Sequence, residues 1–201
     1  MIPIPERMKH LEKDHRGYPI PWIVLRDNDN KPHFTINDTI KVMRCREEDL
    51  CSICGIKLLR GRWFIGGPLS ALHPHGAYID PPLHHECMAF AAQVCPYIAS
   101  PKYSGRIDAK TINPAKAKGI IGFLDQTMIP ERPDIFVAVM AISQTVTENG
   151  YLVPKRPYRK MEILRDGKMI RDFTAEQILN DWPKRLWIED LLSTPAILII
   201  P

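Results

Sequence analysis

Apolar residues come in short blocks separated by polar turns, and this pattern predicts a mixed α+β fold built from small elements. Residues 22–26 and 33–36 are expected to form two strands joined by a polar turn. Residues 134–146 are apolar almost throughout, which is typical of a strand buried on both faces. We therefore expect antiparallel strands around one central strand.

Turn and cap signals are clearest in the C-terminal part. Asp166-Gly167 predicts a tight hairpin between strands over 158–165 and 168–173. Thr174 and Gln177 have the spacing of a helix capping box. The remaining predicted elements are a helix over about 175–182, a second helical stretch over about 184–193 and a terminal strand over 196–200.

One short helix is predicted over about 39–48. Asn37 or Asp38 can cap its first turn, because these side chains accept hydrogen bonds from the free backbone N–H groups there. The apolar residues Ile40 and Met43 are expected to face the core.

Four residues in the first half of the chain have the spacing of a closed metal site. Cys51 and Cys54 are separated by two residues, so a tight turn can aim both sulfurs at one ion, and Gly55 eases the backbone behind them. His84 and Cys87 are three apart and lie on one face of a helix. Three thiolates and one imidazole form the tetrahedral set of a structural zinc ion, one per chain, with no position for a catalytic water.

The order of elements around these ligands predicts a small treble-clef-like module within the mixed domain. Residues 62–66 and about 69–79 are expected to be the arms of a hairpin that turns at Gly66-Gly67-Pro68. Pro81-Pro82 then opens the ligand-bearing helix over about 82–94, since proline is tolerated in a first turn.

Three other residues compete for a place in the metal site. His85 can replace His84, but it lies ~100° further around the helix, so the spacing favours His84. Cys95 is eight residues past Cys87 and is expected to pack the helix end as a small apolar residue, with a substitute ligand as the alternative. Cys45 is expected to be a spare thiol.

Composition favours a reducing compartment. Of the 201 residues, 45% are apolar and 25% are charged, and the 5 cysteines are an odd number that fits poorly with a disulfide framework. The first residues lack the apolar stretch of a signal peptide, and no apolar run is long enough to span a membrane. We therefore expect a cytoplasmic protein without membrane contact.

Positive charge is concentrated in two segments, although the net charge is only +4. Residues 101–119 hold five basic residues against one aspartate, and residues 155–171 hold seven against two acids. Such segments can follow a phosphate backbone, or they can be solvated surfaces that keep the protein soluble. The candidate nucleic-acid contacts are Lys102, Arg106, Lys110, Lys116, Lys118, Lys155, Arg156, Arg159 and Lys160, with Tyr103, Tyr151 and Tyr158 interleaved for base stacking.

The proline-punctuated basic segment also suggests how the chain is divided. We expect a zinc-binding region over 1–100, a basic linker over 101–119 and an α+β region over 120–201. The first and last regions can also form one domain.

His73 and His75 are the candidates for catalysis. A histidine on a hairpin beside a metal-binding helix is the arrangement of HNH nucleases, where it activates a water molecule. The aspartate and asparagine that this chemistry needs are missing around the predicted hairpin, and both histidines flank Pro74. We therefore expect loop histidines and a protein that is not an enzyme.

Six motifs occur together between residues 3 and 97. They are P-I-P-E-R-M at 3–8, G-Y-P-I-P-W at 17–22, C-S-I-C-G at 51–55, G-P-L at 67–69, P-P-L-H-H-E-C at 81–87 and A-A-Q-V-C-P-Y at 91–97. This combination resembles a family of uncharacterised, treble-clef-like zinc-finger proteins from bacteriophages and actinobacteria. The resemblance implies His84 rather than His85 as the ligand and a phage or prophage accessory gene, hence the cytoplasm of a bacterial host, but no activity.

These observations predict a non-catalytic binding protein that is stabilised by zinc. Its expected partner is nucleic acid, or a protein that handles nucleic acid, contacted through the basic surface. The alternatives are a module that docks on a host enzyme and inhibits it, and an HNH-like metal-dependent nuclease.

Overall fold

The computed structural model describes residues 2–100 and 132–181. Four of its strands are β3 (Arg62–Gly66), β4 (Phe136–Ala141), β7 (Lys160–Arg165) and β8 (Lys168–Thr174). They form one antiparallel sheet in the order β3-β4-β7-β8, together with helices before and after it, so the predicted α+β class is confirmed. The predicted basic linker over 101–119, the helix over 184–193 and the strand over 196–200 lie outside the described residues.

β4 is the buried central strand that the sequence predicts, but it is shorter. It ends at Ala141, because the chain leaves the sheet at Ser143, whose carbonyl oxygen accepts a hydrogen bond from the backbone N–H of Lys155 at 2.8 Å. The following residues form β5 (Gln144–Val146), which pairs with β6 (Leu152–Pro154) in a separate two-stranded sheet.

Apolar side chains are buried on both faces of the four-stranded sheet. One face carries a cross-strand row that begins at Phe64 on β3 and ends at Phe173 on β8. The opposite face carries Trp63 and Ala138, which pack in one cluster with all three predicted ligand cysteines. The candidate metal site therefore lies against one face of the sheet.

The hairpin and the capping box predicted near the C-terminal end of the sheet are confirmed. β7 and β8 are joined at Asp166 and Gly167, whose φ angles of 50° and 75° are those of a two-residue hairpin turn. Thr174 and Gln177 exchange hydrogen bonds of 2.8 and 3.4 Å, and the helix α5 (Ala175–Asp181) follows.

The other predicted hairpin is wrong in its second arm, residues 69–79. Pro68–Leu72 forms the helix α2 instead, because proline in the first turn has the φ of a helix and lacks only an N–H that would be unpaired anyway. Trp63 of β3 instead pairs with Leu83, beyond the predicted arm, and the two residues exchange backbone hydrogen bonds of 3.1 and 2.9 Å. The treble-clef-like module thus keeps its turn, its strand β3 and its helix.

The two strands and the helix predicted before the candidate metal site are present. They are β1 (Val24–Arg26), β2 (Pro32–Asn37) and α1 (Thr39–Glu47), and a 3-10 turn (Glu6–Met8) that was not predicted precedes them. β1 and β2 pair antiparallel. Asp38 caps α1 by accepting hydrogen bonds from the backbone N–H groups of Ile40 and Lys41 at 3.0 and 3.3 Å.

The predicted orientation of α1 is wrong. Ile40 and Met43 are 51% and 50% exposed, whereas Cys45 is fully buried. Cys45 packs with Ile23 and Leu50, so the helix rests on the side opposite to its longest apolar residues.

The ligand-bearing helix α3 (His85–Val94) begins three residues later than predicted, and α4 (Pro96–Ala99) follows it. Pro81 and Pro82 stay extended, since their carbonyl oxygens accept hydrogen bonds from the side chain and the backbone N–H of Ser52, both at 3.1 Å. Among the described residues, no helix is long and apolar enough to cross a membrane.

Candidate metal centre

A tight turn at Cys51–Gly55, the knuckle, supplies two of the four candidate ligands. The backbone N–H of Gly55 donates to the carbonyl oxygen of Cys51 at 2.7 Å, and Gly55 has a φ of 71°, which only glycine adopts without strain. Both Cys51 and Cys54 are buried. The turn therefore points two thiols inward from a rigid backbone.

Trp22 packs against the knuckle. Its backbone N–H donates to the carbonyl oxygen of Ile53 at 2.8 Å. Its indole lies so close to Gly55 that a Cβ there would meet the ring carbon Cγ at 2.8 Å. Lys41 and Arg44 of α1 lie over the same ring at 5.6 and 5.4 Å from its centroid. The sequence showed both the tryptophan and the glycine, but their contact only appears in the fold.

His84 and Cys87 supply the other two candidate ligands from the start of α3. His84 is the residue that precedes the helix, and Cys87 is its third residue and is fully buried. The Nδ1 atom of His84 lies 3.4 Å from the sulfur of Cys54, and its backbone N–H lies 3.4 Å from the sulfur of Cys51. The helix start thus closes over the knuckle.

The four ligand atoms form one compact group, as predicted. The sulfurs of Cys51, Cys54 and Cys87 and a ring nitrogen of His84 all lie within 4.8 Å of one another. Tetrahedral coordination with Zn–S bonds of about 2.3 Å sets the sulfurs ~3.8 Å apart, so this group can hold one metal ion. The other ring nitrogen of His84, Nε2, lies 3.3 Å from the carbonyl oxygen of Lys57, which orients the ring as the outer hydrogen bond of a metal-bound histidine does.

The electrostatics of the group favour a bound cation. Hydrogen bonds with Cys54 and Cys87 lower the pKa of Cys51, whereas hydrogen bonds with Cys51 and Cys54, followed by burial, raise the pKa of Cys87. Burial lowers the pKa of His84, but its hydrogen bonds to Cys51 and Cys54 outweigh burial and raise the pKa to about 9. Without a cation the site therefore keeps protons that a divalent metal ion would displace.

The N-terminal segment covers the candidate metal centre, which sequence reasoning did not foresee. Met8 is 1% exposed and packs in the same cluster as the three cysteines, together with Ile4 and Tyr18. His10 makes a hydrogen bond of 3.1 Å with the carbonyl oxygen of Cys54. Arg7 forms an ion pair with Glu86 of α3. The segment thus shields the thiols from solvent and ties the knuckle to the helix.

His85, the alternative ligand, points away from the group. Its Nε2 lies 2.7 Å from a carboxylate oxygen of Glu162 on β7, and its ring lies 4.5 Å from that of Trp63, centroid to centroid. His85 therefore docks α3 on the sheet, and it is His84 that lies close enough to the three cysteines to bind the same ion.

The remaining cysteines also lie outside the group. Cys45 is fully buried, and burial, followed by the nearby charge of Cys51, raises the pKa of the Cys45 thiol to about 12. Cys95 is half-buried and lies at the junction of α3 and α4. Neither joins the four ligand atoms.

The histidines considered for catalysis lie in an exposed loop after α2. The rings of His73 and His75 are 5.7 Å apart, and the backbone N–H of His75 donates to Nδ1 of His73 at 3.1 Å. In the part of the chain that the structure describes, neither belongs to a group of three or more potential metal ligands. The hairpin arm on which an HNH nuclease would carry its histidine is absent, since α2 occupies that place.

The basic candidate residues have different environments. Lys155, Arg159 and Lys160 are exposed. The Arg156 guanidinium instead donates to the carbonyl oxygens of Ala71, His73 and Pro74. The five candidates from Lys102 to Lys118 and Tyr103 lie outside the described residues.

The aromatic residues expected to stack on bases also differ. Tyr158 is 1% exposed and donates its hydroxyl hydrogen to the carbonyl oxygen of Ala71 at 3.0 Å, so the stacking role proposed for it is wrong. Tyr151 is half-buried beside β6.

Comparisons with known proteins return no relative: no protein-family model, no curated protein and no solved structure matches the chain. The resemblance to phage and actinobacterial zinc-finger proteins therefore stays an expectation. A function has to be inferred from the chemistry of the residues themselves.

Proposed function

We propose that the protein is a non-catalytic binding protein whose fold is stabilised by one structural zinc ion. The observation that carries this proposal is the compact, largely buried group of Cys51, Cys54, His84 and Cys87. Three thiolates are soft ligands that favour zinc over magnesium, calcium or manganese. Four protein ligands fill a tetrahedral shell, so the ion has no free position for water or substrate.

We further propose that the partner is nucleic acid or a protein that handles nucleic acid, in the cytoplasm of a bacterial host. The exposed Lys155, Arg159 and Lys160 support a contact with phosphates. The resemblance to phage proteins supports an accessory role in phage or prophage biology.

Fluorescence polarisation across a salt series tests this proposal. Labelled single- and double-stranded DNA and RNA should bind, and the logarithm of the association constant should fall by about 0.7–0.9 per neutralised phosphate as the logarithm of the salt concentration rises. Undetectable binding at low salt would contradict a nucleic-acid partner. Cleavage of the same oligonucleotides with Mg²⁺ or Mn²⁺ would contradict the non-catalytic role.

A module that docks on a host protein is the second candidate. Ile40 and Met43 favour it, because two apolar side chains one turn apart on α1 are about half exposed. Affinity purification from the native host, with retained proteins and nucleic acids identified after nuclease treatment, distinguishes the two candidates. A protein partner that survives the nuclease supports docking.

A further inference from the structure

One end of the four-stranded sheet gathers loops from distant parts of the chain. β3 begins there at Arg62, β4 ends there at Ala141, and β7 begins there at Lys160, because Arg62 pairs with Ala141 and Lys160 with Met140. The loop after the knuckle, residues 56–61, leads into this end of the sheet.

Backbone and side-chain contacts hold these loops beside one another. Arg62 donates from Nη1 to the carbonyl oxygen of Ile142 at 2.7 Å. The backbone N–H of Arg159 donates to the carbonyl oxygen of Met140 at 2.8 Å. Gly61 lies against the Met140 side chain, whose sulfur is 2.9 Å from the place of a Cβ on Gly61. The loops before Arg62, after Ala141 and before Lys160 therefore lie side by side along one edge of the sheet.

This edge, here named the basic rim, combines exposed cations with exposed apolar side chains. Its members are Leu59, Arg60, Ile142, Lys155, Arg159 and Lys160. Leu59 is 86% exposed and Ile142 is 57% exposed, which is unusual for large aliphatic residues. Arg60 follows Leu59 directly, so a cation and an apolar group project from the same loop.

The charge of the basic rim is not cancelled by its acidic neighbours. Asp49 is paired with Arg62 and Glu48 with Arg44, both at 2.7 Å, and Glu162 shares a hydrogen bond of 2.7 Å with His85 rather than with a cation of the rim. Within residues 2–100 and 132–181, no carboxylate forms an ion pair with the four cations of the rim. The rim is therefore suited to a polyanion.

We propose that the basic rim binds single-stranded nucleic acid. Its cations contact the phosphates, and Leu59 and Ile142 pack against unpaired bases. This inference rests on the proposed function and assigns it to a surface beside the metal centre. Duplexes hide the faces of their bases, whereas single strands offer them to side chains between phosphate contacts. Two exposed aliphatic groups between unpaired cations match that pattern of apolar faces and negative charge.

A matched set of variants tests the rim. In Arg159→Gln/Lys160→Gln, two rim cations are lost, and single-strand affinity at about 0.1 M salt should weaken roughly tenfold with a shallower salt slope. Leu59→Ser should weaken binding without changing the slope, since it removes an apolar contact only. Arg165→Gln/Lys168→Gln removes two cations at the opposite end of the same sheet, beside the β7–β8 turn, and should leave both quantities unchanged.

Fluorescence polarisation with a 20-nucleotide single strand and its duplex provides the readout, and zinc content with thermal melting verifies that each variant is folded. If wild type binds but the rim and control variants behave alike, the rim is overturned while the proposed function stands. Equal or tighter binding of the duplex by wild type overturns the contact with unpaired bases. If wild type binds neither strand nor duplex, nucleic acid is ruled out as the partner in the proposed function, and the rim proposal fails with it.

Discussion

At the scale of single residues, Gly55 has two separate reasons to be glycine. Its φ of 71° strains any residue with a Cβ, and a Cβ there would lie 2.8 Å from the indole carbon Cγ of Trp22. Gly150 has a similar φ of 81°, but a Cβ there would meet only the guanidinium end of the Arg46 side chain, at 3.3 Å. Alanine substitutions at the two glycines therefore distinguish the free-energy cost of backbone strain from that of a steric clash with Trp22.

We predict that Gly55→Ala lowers the free energy of unfolding by about 3 kcal/mol, because it adds overpacking against Trp22 to backbone strain. Gly150→Ala should cost about 1 kcal/mol, from strain alone. Urea denaturation of both variants at fixed zinc concentration measures the difference. Equal losses would show that the Trp22 contact is unimportant.

Substitutions of the two adjacent histidines, His84 and His85, should have different effects. His84→Ala is expected to lose bound metal, because His84 is the imidazole of the ligand group. His85→Ala should keep the metal and lose about 1–2 kcal/mol of stability, because it leaves Glu162 without its partner and uncovers Trp63. Zinc content and thermal melting of the two variants check this, and metal loss in His85→Ala alone would reverse the assignment.

At the scale of elements, a turn and a cap predicted from neighbouring residues were confirmed, whereas a pairing between distant strands was not predicted. The β7–β8 turn and the Thr174–Gln177 cap depend on neighbouring residues, so the residue types at these positions were enough to predict them. The second arm of the hairpin predicted over 62–79 was wrong, because β3 finds its partner in β4, more than 70 residues away in sequence. The inward face of α1 failed for the same reason: distant Ile23, not the helix alone, decides which side is buried.

The helix α2 depends on Arg156, a residue that its basic neighbours in the sequence suggest to be a solvated surface cation. Its guanidinium donates to three carbonyl oxygens at the end of α2 and in the loop behind it. Arg156→Gln should therefore lower the free energy of unfolding by about 1–2 kcal/mol, since the carbonyl oxygens of His73 and Pro74 lose this charged donor and that of Ala71 keeps only the Tyr158 hydroxyl. Arg156→Lys should rescue little of it, because an ammonium group cannot reproduce the planar fork.

Arg159→Gln is the matched control for this prediction, because Arg159 is exposed and its removal should change stability by less than about 0.5 kcal/mol. Urea unfolding of the three variants provides the comparison. A loss in Arg159→Gln as large as in Arg156→Gln would show that charge, rather than the carbonyl contacts, is what matters.

At the scale of the whole molecule, the candidate metal centre lies where distant parts of the chain meet. The N-terminal segment, the knuckle and α3 meet in one apolar cluster against the sheet, and the cysteines are members of that cluster. The four candidate ligands could be found in the sequence because the geometry of a metal ion dictates characteristic ligand spacings. The contacts of Met8, His10 and Arg7 that cover this group were not predicted. The N-terminal segment packs without regular secondary structure, so its apolar residues follow no helix or strand period.

The metal content of the purified protein tests the central claim most directly. Elemental analysis should find about one zinc per chain, and Cys54→Ser should abolish retention and lower stability by several kcal/mol, because metal binding contributes folding energy. Cys95→Ser, which changes a cysteine outside the ligand group, should retain the metal. Stoichiometric zinc in Cys54→Ser, or no zinc in wild-type protein prepared with zinc present, would contradict the account.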